Sequence, residues 1–103
     1  MTEHFILQYI PGRILQLGYR KYHVRYKDIT IPPYTKQVLT AYNELYFVVD
    51  DPKGVWLESD YGVYDGIDES AASNMHEHRG EITIENPGNE RRRIKLIQVI
   101  IVN

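Results

Sequence analysis

The C-terminal run from Arg92 to Val102 limits what this chain can fold into more than any other segment. If the run is extended, successive side chains point to opposite faces of a sheet. Apolar side chains then occupy both faces: Ile94, Leu96, Ile100 and Val102 on one, and Ile97, Val99 and Ile101 on the other. An outer strand of a simple sandwich is polar on its solvent side. We therefore expect the outer face of this strand to be covered by another element or by another subunit.

The opening segment shows the same two-sided pattern. An apolar run over residues 5–10 is broken by Pro11-Gly12, and the run over residues 13–17 ends at Gly18. This is the rhythm of strands separated by turns. Exposed faces of the two terminal strands are our interface hypothesis: Phe5, Leu7, Tyr9, Ile97, Val99 and Ile101. The alternative is a tightly folded monomer whose own elements cover them.

Strict alternation over residues 22–26 predicts a half-buried strand. The apolar positions change from even to odd between Tyr26 and Ile29, which predicts a bulge near residues 27–28. Pro32-Pro33 should end the segment at a sheet edge.

Later strands are predicted from alternation between turn residues. Residues 44–49 should pair with residues 55–57 across a turn at 51–54. Residues 81–85 and 92–102 should form a hairpin. A long loop is expected around 65–80, with a helical turn near 69–72. The fold class predicted is all-β, a single antiparallel β-sandwich of immunoglobulin-like or jelly-roll type over residues 1–103.

Composition excludes some functions. The chain has 103 residues, 43% of them hydrophobic, which suits one domain with its own core. A formal net charge of -2 gives no drive to bind a polyanion, and the longest apolar stretches are only a few residues, so neither specific nucleic acid nor a membrane is an expected partner. Cysteine is absent, which excludes disulfides and thiol catalysis. The sequence has no secretion signal, so we expect synthesis in a host cytoplasm.

A possible metal site is formed by His76, His78 and Glu81. Histidines two apart on a strand point the same way and can share a metal with a nearby carboxylate. The pattern resembles the first metal-binding motif of the cupin family, but it has one residue too few before Glu81 and lacks a second motif. The alternative is a solvated loop with two surface histidines. No cofactor is therefore expected.

Other chemistry has weaker support. An acidic cluster could offer oxygen ligands to calcium, or could simply be a solvated loop: Glu58, Asp60, Asp65, Asp68 and Glu69. Trp56, Tyr61 and Tyr64 could stack on sugar rings, although Trp56 could equally be core. The serines lie in no nucleophile motif, so an enzyme is not expected.

Nine tyrosines against two phenylalanines favour half-buried strand faces or a contact surface. The C-terminal third, with Gly80 to Asn86 followed by Ile94 to Ile100, resembles the closing hairpin of immunoglobulin-like and jelly-roll sandwiches. The whole chain resembles accessory capsid or decoration proteins of tailed bacteriophages. That resemblance implies a non-enzymatic virion component that contacts other structural proteins or copies of itself. A carbohydrate-binding module and a small cupin-like metal protein are the alternatives.

Overall fold

A computed structural model describes residues 1–68 and 74–102 of the protein. One helix and six strands follow in chain order: α1 (Glu3–Gln16), β1 (Tyr22–Ile31), β2 (Thr35–Val48), β3 (Trp56–Ser59), β4 (Gly62–Asp65), β5 (Glu77–Asn86) and β6 (Arg92–Ile101). The strands form one open sheet in the order β1-β6-β2-β5-β3-β4, with antiparallel neighbours. The prediction of an antiparallel β protein is therefore confirmed, but the strands form one sheet with a helix and not two separate sheets.

The opening segment is a helix, so the prediction of β structure over residues 5–17 is wrong. Ile6, Ile10 and Ile14 recur at the spacing of one helix face and are fully buried. Pro11 lies within the helix at an exposed position, where its missing amide hydrogen costs less because water can reach the freed carbonyl. Burial of the isoleucine stripe thus overrides the Pro-Gly signal.

Both ends of α1 carry recognisable caps. The Thr2 hydroxyl accepts a hydrogen bond from the Phe5 amide at 3.3 Å. At the other end Gly18 has a φ of 89°, a left-handed conformation that favours glycine. Its amide donates to the Leu15 carbonyl at 3.0 Å, and the next amide donates to the Ile14 carbonyl at 3.0 Å. This is a Schellman motif, which ends the helix and turns the chain toward β1.

β1 has no bulge. Every residue of the strand pairs with β6 in one continuous register, so the bulge predicted near residues 27–28 is wrong. The apolar positions change parity because the strand buries a different face at each end. Tyr22 and Val24 pack on the helix side of the sheet, and Ile29 and Ile31 pack on the opposite side.

β2 is flanked by two strands. It pairs with β5 on one side over residues 35–41 and 46–47, and with β6 on the other side over residues 44–48. Its register with β5 is irregular between Ala41 and Tyr46, so the structure places a bulge-like irregularity in β2 and not in β1.

β5 and β6 are not neighbours, so the hairpin predicted from residues 81–85 and 92–102 is wrong: β2 lies between them. The turn that joins β5 to β6 docks on the β1–β2 connection instead. The buried amide of Asn86 donates to the carbonyls of Ile31 and Pro32 at 3.0 and 3.1 Å. These long-range contacts separate the two strands.

β3 pairs with β4 and β5, so the pairing predicted between residues 44–49 and 55–57 is also wrong. The turn before β3 closes onto the exit of β4. The Gly54 amide donates to the Gly66 carbonyl at 2.8 Å, and the Gly66 amide donates to the Val55 carbonyl at 2.8 Å.

The core has two parts, one on each face of the sheet. The helix-side cluster lies between α1 and the sheet: Ile6, Ile10, Ile14, Leu45, Phe47, Val49, Ile97 and Val99. The far-side cluster lies on the other face: Ile31, Ala41, Tyr46, Val48, Val55, Leu57, Tyr64, Ile82, Ile84, Ile94 and Leu96. It draws on all six strands, including both edge strands, so the sheet must curve strongly enough to cover its own face. Within the described residues, no helix has the length and apolar content needed to cross a membrane.

Candidate functional site

The side chains of the predicted interface separate into two groups. Ile97 and Val99 are fully buried beneath α1, and Ile101 packs at the margin of the same cluster. The outer face of β6 is therefore covered within the chain, which places these residues in the core. The exposed group lies on the helix: Phe5, Leu7 and Tyr9. Phe5 and Tyr9 stand one turn apart on the same side of α1.

A partly buried ion pair joins the helix to the start of β5. The Arg13 Nε lies 3.0 and 2.9 Å from the two carboxylate oxygens of Glu77, and its Nη2 lies 2.8 Å from Oε2. This hydrogen bonding raises the pKa of Arg13. The pKa of Tyr9 is raised by burial and by the charge of the nearby Glu77 carboxylate. The bidentate pair holds the Arg13 guanidinium against β5, and losing Arg13 would leave the charge of the buried Glu77 without its partner.

Arg79 lies on the same face of β5 as Glu77, two residues further on. Its guanidinium donates to the Tyr42 carbonyl at 3.0 and 3.2 Å and to the Tyr19 hydroxyl at 3.4 Å. It also stands 5.7 Å from the centre of the Tyr19 ring, and Tyr61 lies near it. The hydrogen bond to Tyr19 raises the pKa of Arg79. Among residues 1–68 and 74–102, no carboxylate pairs with this cation.

These contacts link one continuous surface, which we call the arginine–tyrosine patch: Tyr9, Arg13, Tyr19, Tyr42, Tyr61 and Arg79. Three of its tyrosine side chains pack against the core of the protein. Tyr19 and Tyr61 pack against the helix-side cluster, and the Tyr9 ring meets Phe47 edge-on at 6.0 Å. Tyr42 is 64% exposed at the margin. Tyrosine and arginine are enriched in the cores of protein interfaces, where a fixed side chain loses little entropy on binding.

The predicted metal ligands do not converge. His78 is fully buried and His76 is held by Val48, whose carbonyl lies 3.1 Å from Nδ1, and by the Met1 amino group at 3.3 Å. Glu81 is exposed on β5. Among the residues that the structure describes, no three His, Cys, Asp or Glu side chains form a group suited to a metal ion.

The acidic cluster is likewise not gathered around one point in the described part of the chain. Asp65 uses its carboxylate locally, accepting the amides of Ile67 and Asp68 at 2.9 and 3.0 Å. Glu69 and the helical turn expected over residues 69–72 lie outside the described residues.

The aromatic residues considered for sugar binding differ in how far they are exposed to solvent. Tyr64 is buried in the far-side cluster, where burial and the charges of Asp51 and Asp65 raise its pKa to about 12 and its hydroxyl donates to the Pro52 carbonyl at 2.8 Å. Trp56 and Tyr61 are half-buried. The flat exposed aromatic face that sugar stacking requires is therefore not formed by these three.

Comparison of the chain with protein-family models, with curated proteins and with solved structures gives no match.

The sequence indicated part of the patch. The tyrosine excess pointed to a contact surface, and Tyr9 was among the predicted interface residues. Arg13, Glu77 and Arg79 were missed. The available signal was that Glu77 and Arg79 are two residues apart on one strand and so point to the same face. That signal predicts a contact with Arg13 only once α1 is recognised as a helix.

Proposed function

We propose that the protein is a non-enzymatic structural protein that binds other proteins in a larger assembly through the arginine–tyrosine patch. The observation that carries this proposal is the patch itself. It gathers the side chains of three tyrosines and two arginines, and Arg79 is anchored on the backbone carbonyl of a fourth, exposed tyrosine. Alanine scans of protein interfaces find these residue types, with tryptophan, among the side chains that contribute most to affinity.

The charges of the patch indicate the chemistry of its partner. Arg13 is neutralised by Glu77 inside the protein. Arg79 is held by the Tyr42 carbonyl and the Tyr19 hydroxyl, and its charge is not neutralised by a carboxylate in the described residues. Removing this guanidinium from water in an interface is costly unless an anion meets it. The partner therefore presents an aspartate or glutamate opposite Arg79, beside apolar atoms that pack on the tyrosine rings.

The kind of assembly is proposed from the sequence. The chain resembles accessory capsid or decoration proteins, so we propose a virion as the assembly, with other structural proteins or further copies of the chain as partners.

Site-specific crosslinking tests the proposal. The photoreactive residue p-benzoylphenylalanine is placed at Tyr42 in the full chain, in the host that makes it, and crosslinked peptides are identified by mass spectrometry. Tyr34 is the matched control, because it is also an exposed tyrosine, at 73%, and lies outside the patch. Crosslinks from position 42 should converge on one segment that contains Asp or Glu. The same crosslinks should be lost in a chain that also carries Arg79→Glu.

Each outcome has one meaning. Convergence on a segment of this same chain would support binding and identify the partner as a second copy. Crosslinks from position 42 that scatter over many proteins, as those from position 34 are expected to do, would contradict the proposal. So would a convergent crosslink that Arg79→Glu leaves unchanged, because the patch would then not recognise an acid.

A further inference from the structure

The two edges of the sheet are protected to different extents. β4 is short, and its outer side is covered by residues that follow it. The Met75 amide donates to the Val63 carbonyl at 2.9 Å. The Asn74 side chain bonds the backbone of Asp65 twice, accepting from its amide at 2.9 Å and donating to its carbonyl at 3.3 Å. This edge is closed by the chain itself.

The β1 edge is open by contrast. Within residues 1–68 and 74–102, the backbone of residues 22–30 hydrogen-bonds to β6 and to no other element. Residues 25–28 are exposed on both faces of the strand. The strand contains no proline and no bulge, so charged side chains, Arg25, Lys27 and Asp28, are what protects this edge from pairing with other strands. It therefore presents a long row of backbone donors and acceptors to solvent.

Side chains along this edge are arranged by charge. His23, Arg25 and Lys27 alternate on one face of β1, and Val24 and Tyr26 alternate on the other. Lys27 reaches the Tyr46 hydroxyl, and no carboxylate of the described residues pairs with Arg25 or Lys27. One face of the edge is thus cationic, and the other is apolar and aromatic as far as Asp28, whose carboxylate pairs with Arg93 at 3.2 Å.

This arrangement disfavours a second copy at the same edge. If two β1 strands pair about a two-fold axis, residues opposite each other point to the same face, so an odd-numbered residue always lies opposite an odd-numbered one. In the register centred on Tyr26, Arg25 of each copy would lie opposite Lys27 of the other. Like charges directly opposite each other destabilise a strand pair, whereas opposite charges stabilise it.

We propose that the β1 edge accepts an extended acidic segment of a partner protein as an added strand of the sheet. The segment carries carboxylates at alternate positions, facing Arg25 and Lys27, and β-branched or aromatic side chains on the other face, against Val24 and Tyr26. Backbone hydrogen bonds supply affinity in this mode of recognition, and the alternating side chains supply selectivity. The inference rests on the proposed function for the existence of a protein partner, but it uses a surface that shares no residue with the arginine–tyrosine patch.

A designed peptide tests the edge directly. The probe is acetyl-Thr-Val-Glu-Val-Glu-Val-Glu-Thr-amide, titrated into the isotopically labelled full chain and followed by amide chemical shifts. Shifts should concentrate in β1 and spare β4. Reversing the edge charges with Arg25→Glu and Lys27→Glu should weaken binding roughly tenfold or more. The matched double variant, Lys36→Glu with Arg91→Glu, makes the same change of charge at exposed positions away from β1 and should bind as the unmodified protein does.

Backbone methylation separates strand pairing from simple attraction of charge. Alternate residues of a strand point their amides to the same neighbour, so a peptide N-methylated at its valines and one N-methylated at its glutamates block opposite edges. One of the two should bind and the other should not. Equal binding by both, or equal binding of a peptide with lysine in place of glutamate, would overturn the proposal. Arg79→Glu should leave peptide binding unchanged, so failure here and failure of the patch are distinguishable.

Discussion

The imidazole of His78 is engaged through both of its nitrogens. Nδ1 lies 2.7 Å from the Ser59 hydroxyl oxygen, and Nε2 lies 2.7 Å from the Met75 carbonyl oxygen. Because a carbonyl only accepts, Nε2 carries the hydrogen and Nδ1 accepts from the Ser59 hydroxyl. That hydroxyl accepts in turn from the Tyr61 amide at 3.2 Å. The neutral ring thus fixes the β3–β4 turn, and its burial lowers the pKa of His78.

We expect the free energy of unfolding to fall as the pH falls below about 6.5. Folded His78 stays neutral at pH values where the histidine of the unfolded chain takes up a proton, because its folded pKa is lowered. The stability it contributes is fully present above the unfolded pKa and is lost toward the folded pKa. One proton changes the free energy by at most about 1.4 kcal/mol per pH unit. Urea titrations from about pH 8 to about pH 5 measure the slope.

Two histidine variants identify the source of that slope. His78→Gln should flatten it, whatever its effect on absolute stability. His23→Gln alters an exposed histidine on β1 and should retain it. A slope that is the same in the unmodified protein and in His78→Gln would show that other groups cause the acid sensitivity.

At the scale of the element, one glycine lies within α1 and another lies just after its C-terminal end, in opposite backbone states. Gly18 has a φ of 89°, whereas Gly12 lies within the helix, and a Cβ added at either position meets no atom within 4 Å. Gly18→Ala should lower the free energy of unfolding by roughly 1 to 2 kcal/mol, since the left-handed conformation strains alanine. Gly12→Ala should raise it by up to about 1 kcal/mol, since alanine favours the helix. Changes of the same sign in urea titrations of both variants would contradict this interpretation of the helix end.

Strands were predictable from the sequence, but their neighbours were not. Alternation gave the strand over residues 22–26, and turn residues gave the ends of β5 and β6, since these signals are local. The prediction of strand neighbours failed because pairing depends on contacts between residues far apart in sequence. One example is the hydrogen bond from the Asn86 side-chain amide to the β1–β2 connection. α1 was missed because Pro11-Gly12 reads as a turn, although the isoleucine stripe beside it has helical spacing.

The candidate site was predictable to the same limited extent. The composition predicts a surface rich in tyrosine. The apolar pattern of the first residues predicts that Tyr9 belongs to an interface. Arg13 and Glu77 lie sixty-four positions apart in sequence, and they meet only because α1 packs on β2 and β6 while β5 lies beside β2. The open edge of β1 could not be seen until the sheet order was known, because the same alternation is typical of an edge strand and a central one.

For the whole molecule, the two core clusters share the strands between them. Leu96 lies in the far-side cluster and Ile97 in the helix-side cluster, although they are neighbours on β6. β6 bonds β1 on one side and β2 on the other. Neither face can lose its packing without disturbing the backbone that supports the other. We therefore expect one cooperative unfolding transition that includes the helix.

Leu96→Ala and Ile97→Ala test this coupling from the two faces. Each removes a fully buried side chain and should cost about 2 to 5 kcal/mol. Trp56, the one tryptophan, reports on β3 by fluorescence, and circular dichroism reports on α1. In both variants the two signals should move together to the same lower urea midpoint. If Ile97→Ala instead released the helical signal first and left the Trp56 midpoint in place, α1 would be a separately folding cover, and the patch built on it would have to form after the sheet.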